Sequence, residues 1–423
     1  MPHSAPRCVT AILITALLCS TSAAALAADR STDMADFLAA HQQFYDAGDQ
    51  VLARYDALRD AYGGLPDEVR PQAAQLMSMA AATLGEYAAA RDHYYEAFPN
   101  GRTPLACPAD NDVEPRPAVQ AVAEAARQSR VVLINESHSV VRSRALLHGM
   151  LPMLRQAGFT HLALEALAPA SDAIVEPASG KPLQDAALPA RGYPLDRNDG
   201  GYYLREPVMA DLVRTALALD FRLVAYETLD AKDRPSRETG QATALAQLLD
   251  ANPDARVLVV AGYSHIWKTD GWMAERLTAM TGTPVLSIDQ IAGLWGCAGE
   301  RGADAPYVLM QADGSAWSHR RDAVDLTVIA PVSAETLDDA GGWMTLDGTR
   351  RAMKVPADAC AGQRPCLVSA YHAGEADNAV PADRMVINAA APVRALFLKP
   401  GRYRVVSEAR DGTRMQHGEH TMP

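Results

Sequence analysis

VVLINESHSV, residues 131–140, joins an apolar strand to a group of polar side chains. Four apolar residues, Val131–Ile134, are followed directly by Asn135 and Glu136 and, two residues further on, by His138. One interpretation is a polar turn that caps the next helix. The other is that a carboxylate and an imidazole stand at the end of a buried strand to perform chemistry.

From about residue 118 to 296 the sequence alternates between apolar strands and amphipathic helices. The predicted strands are Val131–Ile134, His161–Glu165, Phe221–Tyr226, Arg256–Ala261 and Pro284–Ile288. The predicted helices are Arg142–Gln156, Glu206–Leu219, Arg237–Leu249 and Trp272–Met280. Nearly continuous apolar strands that alternate with helices are typical of a mostly parallel sheet covered on both faces. We therefore assign residues 118–345 to an α/β domain.

Each of the five predicted strands ends in ionisable or strongly polar side chains. In chain order these are Glu136 and His138, Glu165, Tyr226 and Glu227, Tyr263 with Ser264 and His265, and Asp289 with Gln290. In an open parallel sheet, ligands bind outside the carboxyl ends of the strands. This repeated pattern predicts a functional site along one edge of the sheet.

Structural roles are the alternative for each of these residues. Glu165 could cap a helix or pair with an arginine, and His265 could be a hydrogen-bonded core histidine. Asp289 is better explained as an N-terminal cap. Arg142 and Arg144 begin the helix after His138, where one of them could bind a substrate anion or hold a glutamate. We expect structural or solvent-facing roles for the remaining histidines considered: His148, His161, His319, His372, His417 and His420.

The segments on either side of the α/β domain have different patterns. Residues 28–102 are predicted to be helical, and 84–99 resemble the second helix of a tetratricopeptide repeat. Only one such unit is visible, which favours a small helical module packed on the next domain; it is also a candidate surface for contact with another protein. The Pro- and Asp-rich stretch 103–117 is interpreted as a linker.

The region after residue 300 is rich in short β patterns and Gly-containing turns. It contains VDLTVIAPV, RALFLKPGRYRVVSEA and four Asp-Gly or Pro-Gly pairs. These predict short antiparallel strands. We place a small β-rich C-terminal part at 346–423.

The first 27 residues are typical of an export signal. Arg7 precedes a short apolar run, residues 8–19, and Ala25-Leu26-Ala27 is a small-x-small cleavage site, so we expect cleavage after Ala27. Leu18 precedes Cys19 where a lipoprotein signal needs a small residue, which disfavours a lipid anchor. The expected location is the periplasm or the outside of the cell, with no integral membrane segment after processing.

The predicted export favours disulfide bonds, and the net charge of the chain limits the choice of partners. Four cysteines remain after processing, Cys107, Cys297, Cys360 and Cys366, and an even number suggests disulfides in an oxidising compartment. The short loop between Cys360 and Cys366 makes this pair the predicted bond. A net charge of −12 argues against nucleic acid as a partner.

Several common catalytic motifs are missing from the sequence. It has no Walker phosphate loop, no G-x-G-x-x-G dinucleotide turn and no H-E-x-x-H zinc helix. The segment 262–266, GYSHI, lacks the second glycine of a nucleophile elbow, so Ser264 is not expected to be a nucleophile.

The motifs that are present resemble those of the erythromycin esterase, ChaN and Tiki superfamily, over about residues 125–295. Its G-E-x-H motif corresponds to 135–138, its second-strand glutamate to Glu165, and its G-x-x-H motif to 262–265. Arg237 and Glu238 match the pair that starts the preceding helix in the esterase branch. Asn135 replaces the family glycine, and because asparagine tolerates a positive φ well we expect the turn to be retained.

The resemblance implies a hydrolase of ester, lactone or related bonds in a small molecule. It implies catalytic roles for Glu136, His138, Glu165 and His265: one histidine would activate water while a glutamate orients it. The predicted substrate-binding residues are Arg142, Tyr226, Glu227, Arg237 and Tyr263.

Two alternatives follow from other branches of the same superfamily. One is a metal-dependent hydrolase or protease of the Tiki type, with Glu136, His138 and His265 as ligands. The other is a ChaN-like protein that binds haem or iron without turnover. We expect no cofactor for the favoured hydrolase, and a divalent metal ion or haem for the alternatives.

Overall fold

The computed structural model describes residues 27–46, 48–171, 180–197, 200–298, 305–331, 342–360, 362–388 and 393–423. Residues 1–26 of the expected signal segment lie outside these ranges. The helices are α1 (Ala27–Asp46), α2 (Val51–Gly63), α3 (Arg70–Thr83), α4 (Tyr87–Ala97), α5 (Ala118–Ala126), α6 (Ala145–Gln156), α7 (Leu188–Arg191), α8 (Pro207–Ala218), α9 (Arg234–Ala251) and α10 (Met273–Thr281). In the described part of the chain, no helix combines the length and apolar character needed to cross a membrane.

Fourteen strands are found in the same ranges. They are β1 (Val113–Pro117), β2 (Val131–Glu136), β3 (His161–Leu164), β4 (Arg222–Val224), β5 (Val257–Gly262), β6 (Val285–Asp289), β7 (Tyr307–Gln311), β8 (Leu326–Ile329), β9 (Arg351–Met353), β10 (Cys366–His372), β11 (Asp383–Ile387), β12 (Leu396–Leu398), β13 (Gly401–Ala409) and β14 (Arg414–Met422). The five strands predicted in the α/β domain correspond to β2–β6.

An eight-stranded sheet forms the centre of the molecule, with the strand order β1-β7-β8-β6-β2-β5-β3-β4. The pairs from β8 through β4 are parallel, whereas β7 and β1 add to the edge in antiparallel fashion. The two central strands, β2 and β5, are buried along their whole length, which explains their continuous apolar sequence.

Helices cover both faces of this sheet. Val132 and Ile134 of β2 pack in a cluster with α5, α6 and α8, whereas Val131 and Leu133 pack in a second cluster with α9 and α10. Alternate residues of one strand therefore serve opposite faces. The predicted α/β class, with a mostly parallel sheet between two helical layers, is confirmed.

The N-terminal module consists of α1–α4, and it is packed against the rest of the chain. Its core includes aromatic residues such as Phe37 and Tyr55 and continues into Val141 and Val208 of the α/β domain and Phe397 of the C-terminal part. The helices therefore share one apolar core with both neighbouring regions.

Two expectations about the edge of the domain are wrong in part. The predicted linker 103–117 ends in β1, which pairs with β7 as an edge strand of the main sheet. The VDLTVIAPV segment, predicted to be an antiparallel strand, forms β8 within the 118–345 domain, where it pairs antiparallel with β7 but parallel with β6. The C-terminal part itself is antiparallel as predicted, with the order β11-β10-β13-β14 beside a β9–β12 pair.

Two disulfide bonds are present. Cys360 is bonded to Cys366, as predicted, and Cys107 is bonded to Cys297. The second bond joins the segment before β1 to the loop after β6, across a sequence separation of 190 residues. Two disulfides indicate folding in an oxidising compartment.

Candidate functional site

Four of the polar residues predicted at the carboxyl ends of the strands, Glu136, His138, Glu165 and His265, lie together at that edge. Glu136, the last residue of β2, is directly opposite Gly262, the last residue of β5, in the parallel register. Glu165 follows β3, the neighbour of β5 on its other side. His138 and His265 lie just beyond β2 and β5. One end of three adjacent strands therefore carries two imidazoles and two carboxylates.

Glu136 and His138 form a buried pair. The Oε1 atom of Glu136 lies 2.5 Å from Nδ1 of His138, and both side chains are less than a tenth exposed. Arg144 donates from Nε to Oε2 of the same carboxylate at 2.9 Å. Burial opposes the ionisation of Glu136, but Arg144 and His138 outweigh it and hold its pKa below the ordinary value. An ionised Glu136 accepts the Nδ1 proton, so in the neutral form of the His138 ring the lone pair lies on Nε2.

Arg144 is itself fixed from a second side. Its Nη1 atom donates at 2.8 Å to Oε2 of Glu206, and Glu206 also accepts the backbone N–H groups of Val208 and Met209 at the start of α8. The guanidinium is fully buried between the two carboxylates. Glu206 and Arg144 thus connect a helix N-terminus to Glu136, which restricts the orientation of His138.

Glu165 is held by groups from β5 and α9. Its Oε2 atom accepts the backbone N–H of Gly262, and its Oε1 atom accepts from Nη2 of Arg237 at 2.7 Å. Burial raises its pKa, but His265, Arg237 and His138 act in the opposite direction and keep the pKa of Glu165 far below its ordinary value. Glu165 is therefore a fixed negative charge between the two histidines.

Arg237 lies at the centre of a second set of bonds. Its Nε atom donates to Oε1 of Glu227 at 3.1 Å, Nη2 also binds Glu227, and Nη1 lies 3.1 Å from Nε2 of His265. Burial works against its charge, yet Glu227 and Glu165 raise the pKa of Arg237 well above the ordinary value. Arg237 is a permanent cation that bridges Glu165, Glu227 and His265.

His265 repeats the arrangement of His138 on the other side of Glu165. Its Nδ1 atom lies 2.9 Å from Oε2 of Glu238, a fully buried residue of α9. Because Arg237 donates toward Nε2, the neutral ring carries its proton on Nδ1 and donates it to Glu238. The Nε2 atoms of His138 and His265 lie 3.7 and 3.9 Å from the same Glu165 Oε1 atom.

These groups open onto a cavity of about 580 Å³, within the range of roughly 300–1,000 Å³ common for small-molecule sites. His138, Glu165, Arg237 and His265 form its polar end. Its other walls carry apolar and aromatic side chains, namely Ala166, Leu167, Ala168, Pro169, Tyr202, Tyr203, Leu229, Ala231, Tyr263 and Trp272, together with the polar or charged residues Gln75, Glu227, Lys232, Asp233, Arg234, Glu238 and Ser264. The composition fits a small molecule with a polar reacting group and an apolar body.

Two tyrosines fix the plane of the His138 ring. Tyr203 is stacked on it with the ring centroids 4.1 Å apart, and Tyr263 contacts it edge-on at 4.9 Å. Burial raises the pKa of both phenols well above the ordinary value, so both stay neutral. The imidazole therefore has apolar contacts on its face, while its two nitrogens face Glu136 and Glu165.

The structure separates the five predicted substrate-binding residues into two groups. Glu227, Arg237 and Tyr263 line the cavity. Tyr226 is fully buried, and its hydroxyl donates to the backbone oxygen of Val260 at 2.9 Å. Arg142 points toward the loop after β6, where it binds the Leu294 carbonyl and lies over the Trp295 ring. Neither of these two residues is part of the cavity wall.

Asn135 has a role that differs from the expected one. It is an extended residue of β2 and does not have a positive φ, so the expectation of a left-handed turn is wrong. Its amide donates to Asp289 at 2.9 Å and to the Tyr263 carbonyl at 3.0 Å, and its oxygen accepts from the Gln290 backbone. Asn135 thus ties the ends of β2, β5 and β6 together. Asp289 also accepts the N–H of Ile291, as expected of a cap.

The alternative metal ligands do not form a metal site in this arrangement. Both oxygens of Glu136 are bonded to His138 Nδ1 and Arg144, so Glu136 does not face His265. The Nε2 atom of His265 faces the Arg237 guanidinium, which occupies the side a cation would need. Within the described ranges, no group of three or more His, Cys, Asp or Glu side chains is arranged to hold a metal ion.

Sequence reasoning missed two contributors to the site, Glu206 behind Arg144 and Tyr203 on the His138 ring, and it identified Arg144 and Glu238 only in part. Arg144 was considered only as one of two equivalent arginines. Glu238 had a signal, because it is half of the Arg237-Glu238 pair in the resemblance, although its role could not be read from the pair.

Comparisons with known proteins do not assign a family. No protein-family model matches the sequence, and no curated protein is significantly similar to it. Among solved structures, the type III effector HopBA1 aligns with a TM-score of 0.33 and 17% identity, over 53% of this chain and 100% of that one. Two structures of bacterial protein toxins align with TM-scores of 0.31 and 0.26 at 17% and 16% identity. They cover 42% and 38% of this chain, which spans only 37% and 34% of theirs.

Proposed function

We propose that the protein is an exported hydrolase of the erythromycin esterase-like type, located in the periplasm or secreted, that cleaves an ester or lactone bond in a small molecule. The observation that carries the proposal is the Glu136–His138 pair, whose free Nε2 atom faces a cavity and a second carboxylate, Glu165. A histidine oriented by a buried carboxylate at one nitrogen is suited to accept a proton at the other.

In the proposed reaction, His138 is the general base. Glu136 holds the Nδ1 proton, so Nε2 removes a proton from a water molecule bound in the cavity beside the ring. The resulting hydroxide attacks the carbonyl carbon of the ester, and His138 then returns the proton to the leaving alcohol. Arg144 keeps Glu136 ionised and correctly oriented throughout.

Arg237 is the proposed donor to the oxyanion that forms during attack. Four of its five N–H groups are directed at Glu165, Glu227 and His265. The fifth, on Nη1, has no partner among the described residues, and Arg237 lines the cavity. A fixed cation with a free donor stabilises developing negative charge without reorganising. His265, backed by Glu238, orients this guanidinium.

A screen of esters and lactones against the mature protein tests the proposal. With a cleaved substrate in hand, His138→Ala should lower kcat/KM by about 100- to 10,000-fold, the usual size of a lost general base. Glu136→Gln should be severe but not additive with it, because the two groups act as one unit. His161→Ala is the matched control, since His161 lies at the opposite end of β3. Full activity in both His138→Ala and His265→Ala would place the chemistry elsewhere.

Two measurements separate this proposal from the alternatives in the same superfamily. Near-stoichiometric zinc, manganese or iron in protein purified without a histidine tag, lost in His138→Ala, would favour a metal-dependent hydrolase or protease. A one-to-one complex with haem, with a Soret band that His138→Ala removes, would favour a haem-binding protein. The proposed hydrolase predicts neither result.

A further inference from the structure

Helix α3 of the N-terminal module forms part of the cavity wall. Ten of the eleven residues from Ala73 to Thr83 are buried, and the exception is Gln75. Gln75 is half-buried and lines the same cavity as His138 and His265. The one residue of this run that is not buried is therefore the one that lines the cavity.

The position of Gln75 relative to the site follows from the next turn of the helix. Ser78, three residues on, is hydrogen-bonded through its hydroxyl to Ser139, the residue after His138. Residues three apart lie on the same helix face, separated by about one turn or roughly 5 Å. Gln75 is therefore about one helical turn away from the point where α3 contacts the His138 loop.

The side-chain amide of Gln75 is available to a ligand. In the described part of the chain no residue is bonded to its amide nitrogen or oxygen, and neither atom is among the buried polar atoms. An amide offers two donors and one acceptor. The cavity lining also includes apolar side chains and charged ones such as Lys232 and Arg234. Unlike these, a neutral amide can both donate to and accept from a hydroxyl group, so Gln75 is a directional group that can select such a substituent.

We propose that the helical module is a substrate-recognition element, in which Gln75 hydrogen-bonds a hydroxyl group on the acyl part of the substrate. The inference rests on the proposed function, because it treats the cavity ligand as an acyl compound. It assigns the module a role inside the site, in contrast to a docking surface for another protein. The preferred substrates are then hydroxylated acyl esters or lactones.

The test uses stable anilides as probes. Binding constants of the 4-nitroanilides of hexanoic acid and of its hydroxylated analogues, with the hydroxyl moved along the chain from carbon 3 to carbon 6, are measured by calorimetry. We expect one hydroxylated anilide to bind the wild type about 2- to 10-fold tighter than the plain anilide, the usual value of one neutral hydrogen bond. Gln75→Leu should abolish the preference, whereas Gln72→Leu, at an exposed position of α3, should retain it.

A preference that persists in Gln75→Leu would overturn the inference, as would a wild type that binds all anilides equally. Hydrolysis of 4-nitrophenyl hexanoate, measured on the same proteins, reports separately on the proposed function. Loss of turnover in His138→Ala supports that function, and absence of turnover in the wild type argues against it. In either case the anilide affinities decide whether Gln75 hydrogen-bonds a hydroxyl group of the ligand.

Discussion

At the scale of single residues, the imidazole of His138 lies directly against the backbone of Gly262 at the end of β5. A Cβ atom added to Gly262 would be 2.4 Å from Cε1 and 2.5 Å from Nε2 of that ring, and 3.3 Å from Oε2 of Glu165. Contacts below 3 Å force the ring to move. The missing side chain is what allows His138 and Glu165 to face each other across this strand end.

Gly262→Ala should therefore displace His138 while leaving the fold intact. We expect kcat/KM to fall at least about 100-fold, since a misplacement of roughly 1 Å has that effect, and the free energy of unfolding to fall by about 1–3 kcal/mol from overpacking. Gly63→Ala is the control, because a Cβ there meets nothing within 4 Å at the end of α2. Ester hydrolysis and urea unfolding measure the two effects. Unchanged activity in Gly262→Ala would mean that the His138 ring does not need its present position.

At the scale of secondary-structure elements, the strands and the edge that carries the site could be predicted from the sequence. Strands β2 and β5 are buried on both faces, so their apolar runs continue to within two residues of the strand ends. The first polar residues after each run therefore mark its carboxyl end. Glu136 and His265 could be assigned to the same edge for this reason, without knowledge of the strand order.

The partners of those residues could not be predicted, because they come from elements distant in sequence. Arg142 and Arg144 begin the same helical segment, and only the path of the 3-10 turn 141–144 turns one to Glu136 and the other to Leu294. The edge strand β1 was missed because its sequence, VEPRP, contains two prolines. Proline cannot donate to a strand ladder, yet it is tolerated at a sheet edge.

Asn135 gives a test of how the strand ends are held together. In Asn135→Gly the buried Asp289 carboxylate and the Gln290 N–H lose a partner, and each unsatisfied buried group costs about 1–3 kcal/mol. We expect the free energy of unfolding to fall by roughly 2–4 kcal/mol in urea titrations. Asn100→Gly, at an exposed position, is the control and should change it by less than about 0.5 kcal/mol. An equal effect of both substitutions would mean that Asn135 does not support the sheet end.

At the scale of the whole molecule, the three parts of the chain meet close to the site. Asp196 of the α/β domain binds Arg205 at 2.7 Å and Arg384 of β11 at 2.6 Å, and Arg205 also donates to the Tyr45 carbonyl of α1. Burial opposes the ionisation of Asp196, but the neighbouring Arg384 and Arg205 outweigh it and lower the pKa of this carboxyl to about 2. Arg205 ends the turn that begins at Tyr202, so the junction is only two residues from Tyr203 and its contact with His138.

The two disulfides should differ in what they contribute to the stability of this assembly. The Cys107–Cys297 bond closes a loop of 190 residues and the Cys360–Cys366 bond one of 6. Loop-closure entropy grows with the logarithm of loop length, which gives about 5 kcal/mol for the long loop and about 2 kcal/mol for the short one.

Replacing both cysteines by alanine in each pair, followed by urea unfolding under non-reducing conditions, measures these contributions. We expect the Cys107→Ala/Cys297→Ala protein to lose clearly more free energy of unfolding, because that bond also fastens the segment before β1 to the loop after β6. Equal losses in the two double variants would show that the long-range bond constrains the unfolded chain no more than the local one.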